Sequence, residues 1–133
     1  MSTFSIPDQI WNRACLGEAD DPKRGDVALS ALLAFHGPAM NGGVLHSVEL
    51  LTSEQLQASS EGFRYYGLAP IAALIDDAAR AVRVGEDLDE LEEKLDQSYS
   101  EHIPTDATLS AAFEKDFAEH PENYQPISPG SHL

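Results

Sequence analysis

Cysteine is nearly absent from this chain: Cys15 is the only one in 133 residues. No intramolecular disulfide can form, which points to a reducing compartment. Positive charge is scarce as well. Eight lysines and arginines stand against 23 aspartates and glutamates, for a formal net charge of −15 at pH 7. Such a balance repels the phosphates of DNA, RNA or an anionic membrane, so neither direct nucleic-acid binding nor membrane binding is expected. Long apolar runs are missing too. The most apolar stretch, Val27 to Phe35, is too short to span a bilayer and is broken by Ser30. Met1-Ser2-Thr3-Phe4-Ser5 lacks the basic and apolar regions of a secretory signal, so a cytoplasmic protein is expected.

Motifs for chemistry are equally sparse. There is no phosphate-binding loop, no dinucleotide-type glycine pattern and no zinc-type Cys/His spacing, so no metal and no cofactor is expected. His36 and His46 flank a break, and an interior or capping role is expected for either. Asp76 and Asp77 are adjacent at the edge of an apolar stripe, where an ion pair with Arg80 is the simplest expectation.

What the chain does have is helical periodicity. Its apolar fraction of 42% is normal for a globular chain. Ser5 with Asp8 reads as a helix start, followed by Ile6, Ile10, Trp11, Ala14 and Cys15 at helical spacing, and Gly17 as a stop. That spacing places Cys15 in the core. A second helix from about Pro22 or Asp26 to His36 is apolar around much of its girth, and Gly37-Pro38 is expected to end it. Thr52 and Gln55 form a capping box for a helix ending at Gly67. Leu68 to Val84 keeps the clearest apolar repeat and stops at Gly85. Asp87 opens a helix with Leu88, Leu91, Leu95 and Tyr99 inward. Asp106 to His120 is the last. No stretch alternates like a strand. The expectation is an all-α fold of six or seven short helices, one domain over residues 1–124 with a flexible tail over 125–133.

Two features stand out from this background. Asn41-Gly42-Gly43 offers a helix cap followed by two glycines, each costing roughly 1 kcal/mol in a helix interior. Close packing or open backbone amides would explain them, and the net charge favours packing over anion binding. The second feature is the helix after Gly85. From Glu86 to Glu101 it carries eight acidic residues and one basic one, Lys94. Projection at 100° per residue puts Glu86, Asp89, Glu90, Glu93, Asp96 and Glu101 opposite the apolar stripe, as a protein-binding acidic face.

The middle and end of the chain resemble a bacterial family, the small acidic DNA-mimic proteins and their domain-of-unknown-function relatives. The resemblance rests on Asn41-Gly42-Gly43, on Gly62 to Ala78, and on Phe113 to Tyr124 with its aromatic-then-Pro-Glu ending. It spans about Pro22 to Tyr124, and it departs from the family where Val44-Leu45-His46 replaces an aromatic after the glycines. It implies an all-α fold without enzyme activity, and an acidic surface that occupies the DNA-binding face of a regulator. The expected partner is thus a basic DNA-binding protein. A basic toxin, with this chain as its immunity protein, is the alternative, and a small-ligand binder or enzyme near His46, Asp76 and Asp77 is a third reading. A homodimer is compatible with all of them.

Overall fold

A computed structural model describes residues 5–127. Seven α-helices follow one another: α1 (Ile6–Leu16), α2 (Arg24–Gly42), α3 (Val44–Leu50), α4 (Ser53–Tyr65), α5 (Ala69–Val84), α6 (Leu88–His102) and α7 (Asp106–Glu119). A 3₁₀ turn, Pro121–Asn123, closes the order, and no strand occurs among the described residues. The fold is all-α.

Local signals set most of the boundaries. Ser5 accepts from Asp8 N at 3.2 Å, and Thr52 and Gln55 exchange both bonds of a capping box, 3.1 and 2.9 Å. Gly17 and Gly85 end their helices in the left-handed conformation. α2 is the central element. It packs against α1, α3 and α4, and its Leu29, Leu32 and Phe35 are fully buried. Phe35 meets Phe63 of α4 edge-on at 6.2 Å. The crossing is close because position 62 is glycine: a Cβ there would lie 2.5 Å from the Ala28 carbonyl oxygen. α5 lines the other side of the core with Ile71, Ala72, Ile75 and Ala78. α6 adds Leu95 and Tyr99, and α7 adds Leu109 and Phe113.

Four sequence expectations are corrected. Gly37-Pro38 does not end the second helix, which runs on to Gly42 with Pro38 inside it. The ring removes one backbone donor, a cost of about 3 kcal/mol in an ordinary helix interior. Here Gly37 and Ala34 are exposed, so water can reach the carbonyl that Pro38 leaves unpaired. Ser47 Oγ of α3 donates to the Phe35 carbonyl at 2.8 Å, tying the same stretch to its neighbour. Asn41 is accordingly not a cap but a residue of the last turn of α2, and Gly43 stands at the N-cap of α3. Cys15 is exposed rather than core, because the buried edge of α1 is Ile10 and Ala14. Gln125, placed in the expected tail, is held to the fold. The Gln125 backbone N–H donates to buried Asp26 at 2.6 Å, its side chain donates to Asp20 at 2.6 Å, and its carbonyl accepts from Arg13 at 2.8 Å. Residues 128–133 of that tail and the leading residues 1–4 lie outside the described residues.

Candidate acidic face and the turn that sets it

α6 forms because Asp87 accepts from Asp89 N at 3.1 Å at its start, and because Leu88, Leu91, Leu95 and Tyr99 give it one inward side. Leu95 and Tyr99 are buried and Leu88 and Leu91 half-buried, so the helix lies on the core by its C-terminal half more than by its beginning. Glu86, Asp89, Glu90 and Glu93 are all exposed, and Glu92, which the projection left out, is exposed beside them. Among the described residues no ion pair reaches any of these five. The ion pairs present join Arg13 to Asp26, Lys23 to Asp21, Arg64 to Asp76 and Arg80 to Asp77, and two carboxylates, Asp106 and Glu122, meet the imidazoles of His36 and His120. Neighbours three and four apart on such a face stand roughly 5–6 Å from one another. Glu101 is exposed too and accepts a long bond from Gln97 at 3.4 Å.

Asp96 does not share that face. It is half-buried, and its Oδ1 accepts from the Val44 backbone N–H at 2.8 Å, so it caps α3 from a different helix. This explains the glycines. Gly43 has φ 96° and ψ 169°, a conformation closed to other residues, and a Cβ on it would stand 3.0 Å from Asp96 Oδ2. Gly42 lies beneath the His46 ring, 2.7 Å from where its own Cβ would be. The Asn41-Gly42-Gly43 turn is a packing device, and the carboxylate it admits comes from the acidic helix.

No family model, curated protein or solved structure matches the chain.

The other chemical groups are drawn into the fold. His36 is buried, with Nδ1 2.8 Å from the Tyr99 hydroxyl and Nε2 2.6 Å from Asp106 Oδ1. With the proton on Nε2, the ring donates to Asp106 and accepts from Tyr99, so both nitrogens are satisfied. Asp76 and Asp77 do not act together. Asp76 pairs with Arg64 of α4 at 2.7 Å, and Asp77 with Arg80 at 3.3 Å. His46 is exposed over Gly42. Partial desolvation, and after it the Asp106 carboxylate, push the Cys15 thiol above its ordinary pKa, the reverse of what a nucleophile needs. Among the described residues no group of three or more His, Cys, Asp or Glu side chains could hold a metal ion.

Sequence reasoning missed a hydroxyl cluster near the C-terminus. Asp116 Oδ2 accepts from Tyr65 and Tyr124, both at 2.7 Å. Tyr66 lies 2.9 Å from the Tyr124 oxygen and donates to the Gly25 carbonyl at 3.0 Å, and Asn123 donates to Tyr65 at 2.8 Å. The adjacent tyrosines were readable; the carboxylate that Tyr65 shares with Tyr124, about fifty residues on, was not. Burial first, then the bond to Asp116, pushes Tyr65 up to about 12. Tyr124 is raised further by the same two causes, and Tyr66 is raised chiefly by burial.

Proposed function

We propose that the chain is a non-enzymatic, acidic protein-binding module that competes with DNA for the basic surface of a DNA-binding protein. The observation that carries this reading is the group Glu86, Asp89, Glu90, Glu92 and Glu93, exposed just before and along the first half of α6 with no cation drawn to it from within the described fold. Unpaired charge of one sign is repulsive within the fold and attractive to an opposite surface, which it steers and orients. The distribution of charge along the chain supports it. From Glu86 onward there are thirteen acidic residues and two lysines, against ten and six before that point. The resemblance to acidic DNA-mimic proteins points the same way.

The reading predicts a salt-sensitive complex. A basic DNA-binding protein of the same host should bind the chain at low ionic strength and release it as screening shortens the range of its charges. Converting Glu86, Asp89, Glu90 and Glu93 to lysine should abolish displacement of labelled DNA from that protein, read by fluorescence anisotropy, while the circular dichroism of the variant stays helical. Undiminished displacement by the folded variant would sink the proposal. If the retained partner proves instead to be a basic toxin, the same four substitutions should fail to neutralise it, and the immunity reading replaces the mimic.

A further inference from the structure

A groove of about 470 Å³ opens between the end of α3, the start of α4 and one side of α5. Its floor is apolar: Val48, Leu51, Leu56, Ile75, Ala79 and Val82. Leu51, Leu56, Ala79 and Val82 are only half-buried, so the floor is open to a ligand and not sealed as core. Its polar groups are Ser53, Gln57, Asp76 and Arg83. The one carboxylate among them, Asp76, is already engaged by Arg64 at 2.7 Å. Arg83 is exposed and makes no ion pair with any described residue, and neither Ser53 nor Gln57 side chain has a hydrogen-bond partner there. An open groove that sets an apolar floor beside one free guanidinium and two spare polar groups offers the two kinds of contact a small amphiphile needs. The two charges that line the groove, Asp76 and Arg83, sum to zero, and the pairing of Asp76 with Arg64 leaves Arg83 as the uncompensated one, in a chain of net charge −15.

We propose that this groove binds an aliphatic carboxylate of medium chain length, the acyl chain lying on Leu51, Leu56 and Val82 and the carboxylate on Arg83. Guanidinium presents a planar fork that matches a carboxylate, which singles out this head group over a neutral alcohol. The charge of the whole molecule makes the test discriminating. A nonspecific apolar surface on so acidic a protein would favour decylammonium over decanoate; the groove requires the opposite order.

Titration of the full chain with sodium decanoate, followed by amide shifts in NMR, should give saturable changes at Leu51, Leu56, Ile75 and Val82. The dissociation constant should be on the order of 1 mM for a dozen non-hydrogen atoms. Decylammonium should bind more weakly at the same residues. Arg83→Gln, an exposed change that leaves the helix intact, should weaken decanoate about fivefold, the range for one partly exposed ion pair. Arg83→Glu should reverse the preference between the two amphiphiles. Ala79→Phe, which fills the floor, should remove both. Equal or tighter binding of decylammonium by the native chain, shifts confined to other residues, or an Arg83→Gln variant as avid as the native chain would each overturn the proposal. So would sedimentation with phosphatidylglycerol vesicles in place of binding free decanoate, since the carboxylate source would then be replaced by a lipid surface.

Discussion

Gly43 and Asp96 are 53 positions apart in the chain and act as one unit. The backbone at Gly43, φ 96° and ψ 169°, turns the chain between α2 and α3 and aims the Val44 N–H at Asp96. A residue with a Cβ would be strained there by about 1–3 kcal/mol and would press on the carboxylate 3.0 Å away. Gly43→Ala should therefore lower the stability measured by urea denaturation by at least that range. Asp96 separates structure from recognition. Asp96→Asn keeps an oxygen for Val44 N–H and should leave both the fold and DNA displacement close to native. Asp96→Ala removes the cap and should cost about 1 kcal/mol, again with little change in displacement by the molecules that remain folded. A loss of displacement in Asp96→Asn at full stability would return Asp96 to the binding face.

At the scale of elements, the sequence was legible wherever a signal and its partner lie within one or two turns. The side-chain cap at Ser5, the capping box at Thr52, the left-handed ends at Gly17 and Gly85, and the inward stripes of α5 and α6 are all of this kind. α2 runs through Pro38 because what tolerates the ring is set by packing rather than by local sequence: the side of α2 at Ala34 and Gly37 is left open to water, and a serine from the next helix bonds Phe35. Distance along the chain hid the joining of α6 to the turn through Asp96 and Val44, and of α7 to α2 through His36 and Asp106, 70 positions apart. The candidate face was legible where it is solvent and illegible where one of its residues was recruited inward. Ser47 tests the account of α2. It is fully buried and donates to the Phe35 carbonyl one turn before Pro38. Ser47→Ala removes that bond between α3 and α2 and should cost about 0.5–1.5 kcal/mol in thermal or urea unfolding. A neutral result would mean that Pro38 is accommodated without help from α3.

Across the whole molecule, charge and hydroxyl groups divide the work. The acidic residues that hold the fold, Asp26, Asp96, Asp106 and Asp116, each engage backbone amides, an arginine, an imidazole or hydroxyls from distant elements, whereas Glu86 and the four exposed acids Asp89, Glu90, Glu92 and Glu93 of α6 engage none of the described fold. The chain's four tyrosines share the first task. Tyr65, Tyr66 and Tyr124 bind α4 and the C-terminal segment to one another and to α2 and α7, and Tyr99 bridges α6 to α2. All four are raised above the ordinary tyrosine value of 10.0, by burial first in every case. For such a group the folded protein holds its proton more tightly than the unfolded chain does. The stability that results is fully present below about pH 10 and declines above it, as phenols of the unfolded chain ionise and those of the native state do not. The native protein should therefore show no phenolate absorbance near pH 10. Its unfolding midpoint in urea should move steadily lower from about pH 10 to pH 12, and phenolate should then appear together with loss of helical circular dichroism. Tyr124→Phe keeps the ring packing on Phe113 and Phe117 while removing one of these protons. It should flatten that decline. An ordinary phenol titration centred at pH 10, with helicity intact throughout, would show that the tyrosine cluster is open to solvent and does not hold the C-terminal segment to the fold.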